Sequence, residues 1–488
     1  MYRHAAQAAH GRQRWREWAT SLFPPAATTG GRRTLVAAGY ALGAALLSAV
    51  ALVRQSGVPA TSTAWAEDAK VFYAQTLTTP FGRALFKTYD GYAQLVPRLL
   101  AQLARWAPPG RAAEVFAVGG AIGFALTGCL VFHMARGHIG PAPVRVLLVA
   151  AMALLPIATA ELLDNMVNLP WWLFFAAFWA LLWRPRTPAG MVAAGALCFL
   201  ATASEPLVAL FVPLALVRGL VLRPLREHAV TAGLVVGLVY QGVARLVSGG
   251  KSFTPAALHG IAQDYAERAG LSTFGGMRAA DWLMSHSATA AVALGAVIAC
   301  AIVAAGLTAR DQGVRSFTAA ATVFSVVCFV VPIWLRGVSA LLETSALAEG
   351  SRYQAVPLLL LISIVMVVAG HLASPGPAAA APYSPLTHAV PGHTAPEHPA
   401  GGHAAPEPAR PACRPGRNGT AVVVACAVLF LPTWVADFRD ANLRSQGPAW
   451  PVQMARAVAR CRDSHARTAT VRIDPPGWAA VLVCQGIA

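Results

Sequence analysis

The feature that most constrains this chain is a series of apolar runs, each roughly 17–22 residues long, recurring between residues 34 and 436. Runs of that length span a bilayer. Where no water is present to satisfy the backbone, a single chain segment crosses as a helix. Eleven spans are predicted, at 34–53, 113–134, 144–162, 169–183, 189–203, 206–222, 228–247, 286–307, 316–335, 355–373 and 419–436. The expected fold class is therefore an all-α polytopic membrane protein with about 11 transmembrane helices. Composition agrees: 12% of the residues are charged, against about 25% in soluble domains.

Arginine placement orients the spans, because short cytoplasmic loops retain positive charge. Arg12, Arg14, Arg16, Arg32 and Arg33 precede the first run. Later arginines flank every second loop: Arg136 and Arg145, Arg184 and Arg186, Arg218 to Arg226, Arg310 and Arg315, Arg410 to Arg417. The pattern places residues 1–33 in the cytoplasm and the C-terminus outside a plasma membrane. The net charge of +17 is mostly these helix-flanking arginines, since only three lysines occur (Lys70, Lys87 and Lys251), so nucleic acid is a poor inference. The abundance of Arg, Ala, Gly and Pro fits a high-GC genome.

The organisation that follows is a ten-helix core over 34–373 with outer loops 54–112, 248–285 and 336–354. A cytoplasmic linker (374–418), a last span (419–436) and a small outer α/β segment (437–488) complete it. Ala64-Trp65-Ala66 resembles a signal cleavage site, but it lies about a dozen residues past a long apolar run, so a retained anchor is expected. The linker is rich in Pro, Ala and His and too polar to bury a core. His388, His393, His398 and His403 recur there, as a low-complexity repeat or as metal ligands. Cys129, Cys198, Cys300, Cys328 and Cys426 lie within spans and Cys413 on the linker. Cys461 and Cys484 share the oxidising outer side, where a disulfide would tie a helix at 451–462 to a strand at 479–484. The alternative is two unpaired thiols.

Polar residues concentrate on the outer side, where charge near hydrocarbon is costly. Glu67 and Asp68 head a short helix expected at 68–78. From Tyr92 onward, Leu95, Val96, Leu99, Leu103 and Trp106 form an apolar stripe opposite Gln94, Arg98, Gln102 and Arg105, as in an interface helix. Glu161, Asp164, Asn165 and Asn168 cluster ahead of Trp171 and Trp172. Glu205 occupies a very short outer hairpin. Arg352 and Tyr353 precede the tenth span, and a guanidinium there can grip a phosphate bidentately; Arg245 and Lys251 add positive charge at the same depth. Each has a plain alternative: helix capping and solvation for the acids, a hairpin tip for the asparagines, an interfacial anchor for Arg352. Acids can deprotonate a hydroxyl or hold a divalent cation, Mg or Mn, with Glu67 and Asp68 the candidate ligands.

This pattern resembles the GT-C superfamily of integral-membrane glycosyltransferases. The resemblance rests on Glu67-Asp68 in the first outer loop, the amphipathic helix at 92–106, and Gly350-Ser351-Arg352-Tyr353 before a late span. It implies a GT-C-like fold with interface helices in the first outer loop, a polyprenyl-phosphate sugar donor, and a glycan, lipid or protein acceptor of the cell envelope. It also implies inverting transfer. Asp68 or Glu67 would be the general base, and Arg352, with Tyr353, Lys251 and Arg98, would hold the donor phosphate. This chain departs from the commoner pattern in setting its acidic pair well beyond the end of the first span. The main alternative is a polytopic transporter or flippase for a polar lipid or solute. Against it, the two halves show no clear repeat and the polar residues gather at one face. A non-catalytic scaffold and an acyl- or phosphotransferase are weaker alternatives; His133, His138, His259 and His286 offer the latter no evident partner.

Overall fold

The computed structural model describes residues 13, 15–25, 33–222, 225–249, 255, 258, 260–336, 350–374, 417–464 and 466–487. Lys251, the His-rich tract, Cys413 and residues 337–349 lie outside the described residues. From Arg33 onward the helices of ten or more residues begin with α1 (Arg33–Arg54), α2 (Leu95–Trp106), α3 (Ala112–Met134), α4 (Ala142–Ala153) and α5 (Leu169–Leu182). They continue as α6 (Pro188–Ser204), α7 (Val212–Val221), α8 (Ala229–Ser248), α9 (Ser272–His286) and α10 (Ala288–Leu307). The last four are α11 (Gln312–Arg336), α12 (Ser351–Leu372), α13 (Arg417–Ala436) and α14 (Trp450–Asp463), followed by strands β1 (Thr468–Ile473) and β2 (Trp478–Val483).

Among the described residues, seven helices are long and apolar enough to cross a membrane: α1, α3, α8, α10, α11, α12 and α13. The other four expected spans are shorter apolar helices, α4, α5, α6 and the Pro206–Val221 segment containing α7. The third span is not one helix to residue 162. The backbone leaves helical geometry at Leu154, two residues before Pro156, whose ring cannot follow a helical turn. In α5 every residue is buried. Its length, ~21 Å at 1.5 Å per residue, falls short of a ~30 Å hydrocarbon core, so it is a core helix of the bundle. By contrast α1 and α8 expose Leu35, Leu42, Leu46, Val235, Val239 and Leu246. Apolar side chains in such numbers need lipid. This is a multi-pass membrane protein.

Small residues let the helices approach. A Cβ on Gly233 of α8 would lie 2.0 Å from the carbonyl oxygen of Gly195 in α6, so this crossing requires glycine. Arg54 ends α1 fully buried, and its guanidinium donates to the carbonyls of Ala153, Leu155, Asp437 and Phe438. It thereby joins α1, the end of α4 and the segment after α13.

A second core forms at that end of the bundle, here termed the site face, from the α1–α3 connection, the start of α3, Met166, Val167 and residues 450–487. Tyr73, Phe116 and Trp450 stack edge to face at 5.8–6.4 Å, and Trp450 donates its indole N–H to Pro109 O at 2.8 Å. β1 and β2 pair antiparallel from Thr468–Val483 to Ile473–Trp478. Ala469, Val471 and Ile473 turn inward, as the strand's two-residue period requires. Cys461 at the end of α14 is bonded to Cys484 after β2, S–S 2.00 Å.

Candidate functional site

The first connection forms a π-helical turn, Asp68–Tyr73, continued by Ala74–Thr78. Its two acids take opposite environments. Asp68 is fully buried, and its carboxylate accepts the backbone N–H of Met166 at 3.2 Å and of Val167 at 2.9 Å. Burial pushes the Asp68 carboxyl up to about 8, opposed by those two N–H donors and by the Arg444 guanidinium. Glu67 instead lines a cleft. Its Oε1 lies 3.5 Å from the Tyr89 hydroxyl, and its buried Oε2 has no hydrogen-bond partner. Burial, then the neighbouring Glu67 and Asp90 carboxylates, push the Tyr89 hydroxyl up.

The cleft draws on four parts of the chain. Glu67, Tyr89, Asp90, Tyr92 and Gln94 come from the first connection. Val167, Asn168, Pro170 and Trp171 come from the start of α5, Ser204 and Glu205 from the end of α6, and Arg352 from the first turn of α12. Gly350 (φ 67°) opens α12 in left-handed geometry that favours glycine. Arg352 then reaches Glu161, Nη1 to Oε2 at 3.8 Å. Ser204 accepts the Val96 N–H at 3.0 Å, fixing the end of α6 to α2. The cleft encloses about 30 Å³, room for a water or a small ion; a sugar has to widen it.

Several predicted residues shape the loops around the cleft, and Asn168 and Glu205 also line it. Asn165 donates to the carbonyls of Glu161 and Leu163 and accepts the Asn168 N–H. Asn168 donates to Glu161 O at 2.7 Å while bordering the cleft. Asp164 is buried, with φ 57°. Burial pushes its carboxyl up to about 7 against Arg444 and Arg54. Glu205 accepts the Leu207 N–H at 3.3 Å and caps the Pro206–Phe211 turn.

Two of the expected phosphate contacts lie elsewhere. Arg98 is buried and donates to Gln75 at 2.9 Å, with its guanidinium 5.3 Å from the Phe72 ring centre. The stripe expected to be polar is thus split: Gln94 and Arg98 turn into the protein, while Leu99, Leu103 and Trp106 are exposed. The reason is geometric, since α2 meets the Asp68 turn on its polar side and leaves the apolar side for lipid. Tyr353 is buried with its ring edge-to-face on Trp171, 5.3 Å between centres, and does not line the cleft. Both Asp68 oxygens accept N–H groups in the interior, while Glu67 faces the cleft. Among the described residues, no three His, Cys, Asp or Glu are grouped to hold a metal.

Sequence reasoning missed Arg444. It is buried behind Asp68 and donates to Leu163 O, Asp164 O and Thr63 Oγ1. The carboxylates that act on it are Asp164, Asp68 and Asp474. Burial pushes the Asp474 carboxyl up to about 7, opposed by Arg444. Asp474 also exchanges backbone hydrogen bonds with Ala64 and Ala66, so the C-terminal sheet is fastened next to the acidic pair. Nothing in the sequence marks Arg444. Arg54 did carry a signal: an arginine at the end of α1 opposite its arginine-rich start. Comparison with protein-family models, with curated proteins and with solved structures gives no match to this chain.

Proposed function

We propose that the protein is a GT-C-like membrane glycosyltransferase. It moves a sugar from a polyprenyl-phosphate donor to a glycan, lipid or protein acceptor on the outer side of the plasma membrane, with the site face outward. The observation that supports this is the meeting of Glu67 and Arg352 in one cleft, from opposite ends of the helical core. Glu67 is the base: its unpartnered Oε2 takes the proton of the acceptor hydroxyl. The hydroxyl oxygen attacks the anomeric carbon, the bond to the phosphate oxygen breaks, and the lipid phosphate leaves with the electron pair, inverting the centre. Arg352 exchanges its long contact with Glu161 for that phosphate. Asp68 is a positioning residue that fixes the turn carrying Glu67. The exposed Leu99, Leu103 and Trp106 of α2 give the donor's prenyl chain an apolar approach.

The test is transfer by the purified full chain, supplied with radiolabelled short-chain polyprenyl-phosphate hexoses and pentoses and a cell-envelope glycan fraction. The reading requires transfer from at least one donor that Glu67→Gln lowers about a hundredfold or more. Transfer from none, or at an unchanged rate in Glu67→Gln, would overturn it. Movement of an intact lipid across reconstituted vesicles without sugar transfer would favour the transporter instead.

A further inference from the structure

At the end of the bundle opposite the candidate cleft, a groove of about 540 Å³ opens between α1, α3 and α4. Its walls are apolar, with Leu35, Leu46 and Val146 exposed along it. Gly39 and Gly43 form its floor on α1, and a Cβ at either would meet nothing within 4 Å. A polar group closes one end: Tyr40, whose hydroxyl lies 2.8 Å from His133 Nδ1, together with Arg136 and Arg145.

The two arginines stand apart from others at this end. Arg184 and Arg218 share the carboxylate of Glu227. Arg136 and Arg145 have no such carboxylate partner among the described residues; Tyr40 lies beside both, with Arg186 acting on Arg136 and Arg136 on Arg145. Arg145 is 7% exposed, with Nη1 donating to Phe132 O at 3.4 Å and its guanidinium 4.6 Å from the Phe132 ring centre. The Nε atoms of both are buried without a hydrogen-bond partner. Two cations at the mouth of an apolar slot complement one kind of molecule, an anion carrying a long apolar chain.

We propose that this groove binds an anionic glycerophospholipid of the leaflet opposite the candidate cleft. Its phosphate sits on Arg136 and Arg145, and one acyl chain runs along Gly39 and Gly43. The proposal does not depend on the transferase reading.

The test uses the full chain purified in mild detergent. Retained lipid is counted by native mass spectrometry. Thermal shifts are read with phosphatidylglycerol, with phosphatidylcholine of the same chains, and with inorganic phosphate. The wild type is expected to retain phosphatidylglycerol and to be stabilised by it alone. Arg136→Gln with Arg145→Gln is expected to lower retention about tenfold or more, the scale of a lost charge-assisted phosphate contact. Gly39→Leu with Gly43→Leu, which fills the slot and leaves both arginines in place, is expected to lower it as well. The glycine variant decides the matter if the arginine variant fails to fold. Equal retention of the two lipids, a full shift from inorganic phosphate alone, or unchanged retention in the glycine variant would overturn the proposal.

Discussion

Val167 donates its backbone N–H to the Asp68 carboxylate at 2.9 Å, across the gap between the first connection and the loop entering α5. With the Met166 N–H on the other oxygen, Asp68 is a strut and Glu67, one residue earlier, is left to face the cleft. Asp68→Asn keeps one acceptor and offers an N–H where the other stood. It should lower unfolding free energy by about 1–3 kcal/mol. Glu67→Gln should leave the unfolding midpoint near wild type and lower transfer about 10²- to 10⁴-fold, the usual contribution of a general base. Thermal unfolding beside initial rates separates the two; a large stability loss in Glu67→Gln would reverse the assignment.

Arg352 is 28% exposed at its side chain and lies 3.8 Å from the Glu161 carboxylate. Arg352→Ala should raise the donor KM about tenfold or more and leave the acceptor KM near wild type, as loss of a phosphate contact requires. Equal losses for both substrates would argue against phosphate recognition.

The carboxyls of Asp68, Asp164 and Asp474 are all raised by burial, to about 8, 7 and 7. A raised acid holds its proton more tightly folded than unfolded. Its stabilisation is complete below the ordinary carboxylate value of ~4 and is lost as pH rises through the folded value. The unfolding midpoint should therefore fall between about pH 5 and pH 8. Asp474→Asn should flatten that slope. A midpoint that climbs over the same window would contradict the placement of these acids.

Arg444 is the cation those acids share. Arg444→Met removes one partner of a buried charge cluster, which costs about 3–5 kcal/mol in comparable cases. Pairing it with Asp164→Asn should recover part of the loss, measurable as a positive coupling in a double-mutant cycle.

The Cys461–Cys484 bond closes a stretch of 23 residues around β1. Reduction should lower stability by about 2–4 kcal/mol on loop-closure grounds. Limited proteolysis after reduction should cut first within 464–478, and an unchanged digestion pattern would show that the sheet holds without the bond.

What the sequence made legible was set by periodicity and charge. Each of the eleven apolar runs contains helix, the third broken at Leu154, and among the described residues seven helices are long and apolar enough to cross; hydropathy does not distinguish lipid from a protein interior around α5. The convergence of Glu67, Asn168, Glu205 and Arg352 was approachable, since each is a polar residue at the same end of an apolar segment. The division of work between Glu67 and Asp68 was not. It depends on two backbone N–H groups about a hundred residues away, and backbone donors leave no trace in side-chain identity. Arg98 misled for a related reason: the amphipathic period of α2 fixes which residues share a face, and not which face meets protein.

Arg54 reaches a carbonyl 384 positions later in the chain, and the backbone of Ala64 and Ala66 pairs with Asp474. During synthesis, the connection that carries Glu67 therefore emerges long before the residues that seat it. The connection between α1 and α3 has to wait, unfinished, until the later helices have been made and residues 437–487 reach the same end of the bundle. The cleft residues of the first connection are therefore seated only after Asp437, Phe438 and Asp474 have been made.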